Sequence, residues 1–325
     1  MRAVDRDGNR SVVTFPVPRA PRRFDENRPV ARVIAIFGPT ASGKTAVAEV
    51  LARLVPGELV SADAMQVYRG LPVLTNQSDF PTRLVAYLGL DQESSVADYQ
   101  RRAHAAVDEI LAAGRTPVVA GGTGLYLRAA LAKLELPPPP GPGARERLER
   151  LYDEEGAEQA HALLAERDPE AAAAVHPNDR RRVVRALELA EAGSSLRPGK
   201  DALWSGETRH PTRIFGLEVP SDELGRRIEA RTHEMFERGV EQEVARALSG
   251  PISATARTIH GLQDIVELPR EEAIQALVAR TRRYAAYQRK WMRRIPGIAL
   301  VAADRPAAEV AAEIVGELGS VAPAR

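Results

Sequence analysis

Apolar residues first gather in a five-residue run, Val33 to Phe37, followed at once by turn residues. A short continuous run of this kind is the pattern of a strand buried on both faces. Across 44–55 the spacing becomes helical. A second strand is expected at 58–62, a helix near 96–113, a strand from Pro117 to Ala120 and a helix over 125–133. Strands alternating with helices argue for a parallel sheet covered by helices on both faces. The alternation stops at Pro137-Pro138-Pro139-Pro140-Gly141-Pro142-Gly143, which fits neither a helix nor a central strand. Residues 144–192, rich in Ala, Glu, Arg and Leu, read as helical. The α/β pattern resumes with a strand from Ile214 to Val219, helices near 221–248 and 271–294, strand Ala299–Ala302 and helix 307–318. The expected architecture is a discontinuous α/β core at 31–136 and 206–320 with an all-helical domain inserted at 137–205. Residues 1–30 mix arginines and prolines without an apolar period and read as a disordered basic extension. A secretory signal would need an uninterrupted apolar stretch there, and none is present.

Composition narrows the classes. A chain of 325 residues buries a large core, and no apolar run is long enough to span a bilayer. The absence of cysteine excludes disulfides, thiolate metal sites and cysteine nucleophiles, and fits a reducing cytoplasm. A net charge of only +1 means that any affinity for nucleic acid must come from local patches.

The strongest chemical signal is Gly38-Pro39-Thr40-Ala41-Ser42-Gly43-Lys44-Thr45, which joins the first strand to the first helix. In this G-x-x-x-x-G-K-[ST] form, backbone amides wrap phosphate oxygens, Lys44 adds charge and the Thr45 hydroxyl is placed to hold Mg²⁺. Asp63 follows the second strand, at the sheet edge where parallel sheets carry their ligand crevice. It reads as a Mg²⁺ ligand, as a general base facing a second substrate, or as a helix N-cap. Gln66 brings an amide that could read a base edge. Gly121-Gly122-Thr123-Gly124 is a second glycine turn at the same edge, where backbone can come close to a ligand and the Thr123 hydroxyl can donate or accept.

Two basic clusters stand out. One is Asn178-Asp179-Arg180-Arg181-Arg182-Val183-Val184-Arg185 in the insertion. The other, Arg280 to Arg294, holds seven cations and no acidic residue, with Tyr284, Tyr287 and Trp291 interleaved. Cations among aromatic rings suit RNA, although the rings serve equally well as core. Arg227 and Arg231, one helical turn apart, could clamp a diphosphate opposite the loop or make surface ion pairs. The six histidines show no metal-ligand spacing.

Together these segments resemble the tRNA dimethylallyltransferase family, also called delta-2-isopentenylpyrophosphate transferases. The likeness runs from residue 32 to about 302: G-P-T-A-S-G-K-T at 38–45, D-A-M-Q-V-Y-R-G at 63–70, G-G-T-G-L-Y at 121–126, and H-P-N-D at 176–179 with R-A-L-E at 185–188. L-x-x-R-I-x-x-R at 224–231 and T-R-R-Y-A-x-x-Q-x-x-W at 281–291 complete it. The resemblance implies a phosphate-loop fold and transfer of a dimethylallyl group from dimethylallyl diphosphate to N6 of adenosine 37 in the tRNA anticodon loop. The loop then holds a leaving group, and no phosphoryl group moves. By the same resemblance Asp63, Thr123 and Lys44 are catalytic. Thr40, Ala41, Ser42, Gly43, Lys44, Thr45, Arg227 and Arg231 hold the diphosphate, with Mg²⁺ at Thr45. Asp63, Ala64, Met65, Gln66, Thr123, Arg145, Arg181, Arg182, Val183, Val184, Arg185 and the region 257–263 face tRNA, whose target base flips out to react. A cytoplasmic monomer is implied.

The chain departs from the family's usual residues in four places. Leu74-Thr75-Asn76-Gln77 stands for G-T-A-K-P, Val85-Ala86-Tyr87 for a histidine pair, His260-Gly261-Leu262 for I-G-Y, and Ala286-Tyr287 for Lys-Arg. Read from sequence, these bear on tRNA recognition and none touches the reacting centre. The rival readings are a small-molecule kinase, which leaves the basic aromatic helix unexplained, and a non-catalytic RNA-binding NTPase. A GTPase is weaker, since Asn76-Gln77-Ser78-Asp79 lacks the lysine of a guanine motif. An enzyme that prenylates free AMP would have no use for the insertion's arginines.

Overall fold

The computed structural model describes residues 32–136, 141, 143–196 and 206–319. The expected basic extension at 1–30, the prolines at 137–140 and the 197–205 end of the insertion lie outside the described residues. Six strands are present among those described: β1 (Val33–Phe37), β2 (Gly57–Ser61), β3 (Thr82–Arg83), β4 (Thr116–Gly121), β5 (Thr212–Glu218) and β6 (Ala299–Ala302). They form one parallel sheet in the order β3-β2-β4-β1-β5-β6. All five residues of β1 are buried, because this strand lies centrally with Ile34 opposite Val118 of β4 and Arg213 of β5. That explains its unbroken apolar run.

The helices on the sheet include α1 (Lys44–Leu54), α2 (Val96–Ala112) and α3 (Gly124–Leu131). α1 buries Val47, Ala48 and Leu51, four residues or fewer apart on one stripe. Four helices follow: α4 (Ala144–Glu155), α5 (Ala157–Arg167), α6 (Pro169–Ala174) and α7 (Arg180–Glu191). They gather Leu148, Ala160, Leu164, Val183 and Leu187 around a hydrophobic cluster separate from the sheet's core. Burying each such leucine contributes about 2–3 kcal/mol. Asp168 caps α6 and Asp179 caps α7, each accepting a backbone N–H.

The helical stretch expected near 221–248 is two elements, α8 (Ser221–Glu237) and α9 (Val240–Leu248). They part at Gly239, whose φ of 82° ends one helix and starts the next. α10 (Ala254–Arg257) and α11 (Leu262–Glu267) are too short for periodicity to reveal, as is the two-residue β3. α12 (Arg270–Met292) and α13 (Ala307–Gly319) complete the chain, α13 packing on α1. Among the described residues no helix is long and apolar enough to cross a membrane.

Candidate active site

The carboxyl ends of β1, β2 and β4 open on a cavity of about 400 Å³. β1 delivers the phosphate loop. Ser42 N donates to Pro39 O at 3.2 Å, and the turn forces Ala41 to φ 62° and Gly43 to φ 84°. Only glycine adopts the second without strain, and Gly43 then begins α1 with its free amides toward the loop. Thr40, Ala41, Gly43, Lys44 and Thr45 line the cavity. Ser42 does not. Its hydroxyl lies buried under the loop, where a Cβ on Gly38 would approach it to 2.5 Å, and it has no hydrogen-bond partner among the described residues.

Lys44 Nζ lies 3.4 Å from Pro39 O. Burial pushes its pKa down to about 8, with Asp63 opposing the shift and Arg231 adding to it. Arg231 reaches in from α8 and donates to Thr40 Oγ1 at 3.2 Å; burial lowers it too, against the pull of Asp63. Lys44, Arg231 and Asp63 thus share one cavity, with Glu234 also in its lining. Arg227, expected beside Arg231, lines the same cavity but is held by Glu223 Oε1 at 2.7 Å and by Ala303 O at 3.1 Å. It stands at the rim as half of an ion pair.

Asp63 follows β2, and its Oδ1 accepts the Met65 N–H at 3.0 Å. No helix follows it, so it closes a turn and is not an N-cap. Met65 lines the cavity. Gln66 is not available to read a base: its amide donates to Thr75 O and Asn76 O and accepts from Ser61 Oγ, bracing the loop after it. Thr45 and Asp63 both line the cavity, a hydroxyl and a carboxylate beside a phosphate loop, and such hard oxygen donors suit Mg²⁺.

The glycines of the second glycine turn admit close protein neighbours: a Cβ on Gly121 would meet Ala62 O at 2.0 Å, on Gly122 Gln288 Nε2 at 2.4 Å, and on Gly124 Trp291 Cε3 at 2.0 Å, while Gly121 also lines the cavity. Thr123 is not part of the cavity lining; its Oγ1 lies 3.4 Å from Oη of Tyr284, which is. Burial and the Asp63 charge push Tyr284 up to about 12.

Gln288 is the residue that sequence reasoning passed over, although it stands in the T-R-R-Y-A-x-x-Q-x-x-W motif. It is buried; its Oε1 accepts the Thr40 N–H and its Nε2 donates to Gly122 O, both at 2.8 Å. One side chain therefore ties the phosphate loop to the glycine turn. The three rings of this motif take different surroundings, with Tyr287 and Trp291 still edge to face at 6.3 Å. Tyr284 walls the cavity, Trp291 packs on Gly124, and Tyr287 is 56% exposed.

Two of the departures lie closer to the chemistry than expected. Leu74, Thr75 and Asn76 line the cavity, their loop held where Glu243 accepts the Val73 and Leu74 amides. His260 lines it as well, against Tyr284 at 5.5 Å between ring centres. Burial, with Arg280 nearby, drives its pKa down to about 4, so the imidazole is neutral.

The expected tRNA residues of the helical unit do not form one face. Val183 and Val184 are buried in its core and offer no side chain to RNA. Arg145 and Arg185 both grip Glu188, a fully buried carboxylate. Arg181 and Arg182 are exposed. Of residues 257–263, Arg257, Thr258 and Gln263 face outward, whereas Ile259, Gly261 and Leu262 are buried.

A model of the family described as IPP transferase matches residues 66–295 of the chain. A tRNA dimethylallyltransferase of Thermomicrobium roseum is 42% identical over 280 residues, covering 81% of this chain and 84% of its own. Another, of Myxococcus xanthus, is 41% identical over 294 residues, covering 86% and 95%. The crystal structure of the full-length tRNA isopentenylpyrophosphate transferase of Bacillus halodurans superposes with a TM-score of 0.64 at 31% identity, over 89% of this chain and 97% of that one. A eukaryotic dimethylallyltransferase, captured in crystallographic snapshots acting on tRNA, superposes with a TM-score of 0.72 at 25% identity, over 91% and 81%.

Proposed function

The chain belongs to the IPP transferase family, and from that premise we propose that it transfers a dimethylallyl group from dimethylallyl diphosphate to N6 of adenosine 37 in tRNA. One observation carries the reading: Lys44 and Arg231 meet Asp63 in a single cavity of about 400 Å³, so an anion grip and a carboxylate address the same space.

The phosphate loop amides, Lys44 and Arg231 bind the donor's diphosphate, and Arg227 guards the rim. The adenine N6 lone pair forms a bond to C1 of the prenyl group while the C1–O bond breaks, and the electron pair leaves on the diphosphate. Asp63 takes the N6 proton, and Thr123, reached past Tyr284 of the cavity wall, orients the amine once the acceptor enters. Negative charge grows on the leaving oxygens, where two fixed, buried cations stabilise it more than the neutral bridge they faced before. Mg²⁺, which the Thr45 hydroxyl would hold, would supply further neutralisation of that charge. Arg181 and Arg182 contact the RNA backbone from the insertion. The reading includes a location in the cytoplasm, since its acceptor is tRNA. No feature of the cavity favours a kinase over this reading.

The test is incubation with dimethylallyl diphosphate, radiolabelled in the prenyl group, and unmodified tRNA. The expected result is label in tRNA at adenosine. Label in ATP or AMP and none in tRNA would overturn the reading.

A further inference from the structure

We propose that Tyr284 is a positioning residue for the acceptor side of the reaction: it fixes the Thr123 hydroxyl toward the adenine amine, and Gln288 links that grip to the diphosphate loop. The proposal rests on the prenyl-transfer reading of the cavity.

Thr123 stands at the N-cap of α3, yet its side chain makes no capping hydrogen bond. Ser95, Asp168, Asp179 and Ser253 all cap in the ordinary way, accepting a backbone N–H. The Thr123 hydroxyl is thus withheld from its helix, and the group it meets is Oη of Tyr284 at 3.4 Å. That is long for a hydroxyl pair, and such contacts tighten when the reacting partner is bound. Either hydroxyl can donate in this pair; when the phenol donates, the Thr123 proton is free to point away from Tyr284.

The phenol ring is held by packing as well as by its hydroxyl, which also interacts with Gln288. His260 leans on it at 5.5 Å, and His260 is itself fixed by Thr281 Oγ1 at 3.0 Å. Gln288 lies one turn further along α12, on the same face. Its carboxamide holds the Thr40 amide and the Gly122 carbonyl. One rigid helical turn therefore grips both the loop that binds the donor and the turn that meets the acceptor. This geometry sets the distance between the two reactants.

The experiment is a double-mutant cycle in single-turnover prenyl transfer, comparing wild type, Tyr284→Phe, Thr123→Val and the double variant. Tyr284→Phe keeps the ring against His260, and an unchanged melting temperature confirms its fold. We expect Tyr284→Phe to lower the rate constant about 20-fold and Thr123→Val about 100-fold, both with little change in donor KM. Because Tyr284 acts through Thr123, the double variant is expected within about twofold of Thr123→Val alone. Two independent effects that multiply, or a Tyr284→Phe enzyme at full rate, would overturn the proposal. A wild type that transfers no prenyl group would instead overturn the functional reading beneath it.

Discussion

Cations in the cavity and cations in the helical unit carry the same charge in opposite settings. In the helical unit nearly every arginine has been answered from within. Arg145 and Arg185 share Glu188, Arg147 and Arg167 share Glu191, and Arg180 sits on Asp153 at 2.7 Å. In the cavity, Lys44 and Arg231 make no ion pair among the described residues; each donates only to a neutral oxygen of the phosphate loop. Buried charge left without a counter-ion is costly to a fold, and it persists where a ligand supplies the missing charge. Basic character by itself therefore says little about ligands. Pairing separates a cation that builds the protein from one that waits for a substrate.

Removing Asp63, the carboxylate whose charge acts on both of these cations, should have the largest effect. Asp63→Asn is expected to slow single-turnover transfer about 1,000-fold while tRNA affinity in a filter-binding assay stays within about twofold. Transfer at the wild-type rate would remove Asp63 as the base.

The unpaired lysine gives the next largest effect, through pH. With a pKa of about 8 in the free protein, Lys44 is protonated below that value and neutral above it. An anion binds the protonated form, so kcat/KM for the donor should be flat below pH 8 and fall about tenfold per unit above it. At saturating donor the bound diphosphate holds the proton on, so the limb in kcat should move to higher pH. A kcat/KM profile with no limb between pH 8 and 10 would contradict this placement of Lys44.

In the helical unit the corresponding test is on stability. Glu188→Gln leaves Arg145 and Arg185 without their shared charge and should cost about 2–3 kcal/mol by thermal or denaturant unfolding, with donor binding preserved. Unchanged stability would mean that the buried carboxylate is not the unit's anchor. The smallest effect belongs to Arg181 and Arg182, exposed on α7: replacing both by Ala should weaken tRNA binding roughly tenfold and reduce its salt slope by about 1–2. A slope identical to wild type would argue against this face as an RNA contact.

The same contrast explains what could be read from sequence. β1, the phosphate loop and α1 are local: one apolar run, one glycine-lysine spacing and one helical stripe specify them, and they formed where expected. Asp63 was legible because it follows a strand directly. Pairings across long separations were not. Arg145 and Glu188 lie 43 residues apart, and Thr40 and Gln288 lie 248 apart, so no periodicity connects them. The helix from Arg280 to Arg294 looked unopposed because its counter-charges lie elsewhere, Asp264 on α11 answering Arg280 and Glu229 on α8 answering Arg282. The glycines at 121, 122 and 124 announced a close approach without naming what approaches. Gln288 left one usable signal, a glutamine among arginines and rings on a helix where no surface role required it.

The central claim is that the unpaired cations hold a group that is discarded. A donor labelled both in the prenyl carbon and in its β-phosphorus tests this directly, with unmodified tRNA as acceptor and ATP present. The account predicts carbon label in tRNA and phosphorus label in free diphosphate in equal amounts. Phosphorus label on RNA, or carbon label that never leaves the small-molecule fraction while phosphate is released, would contradict it.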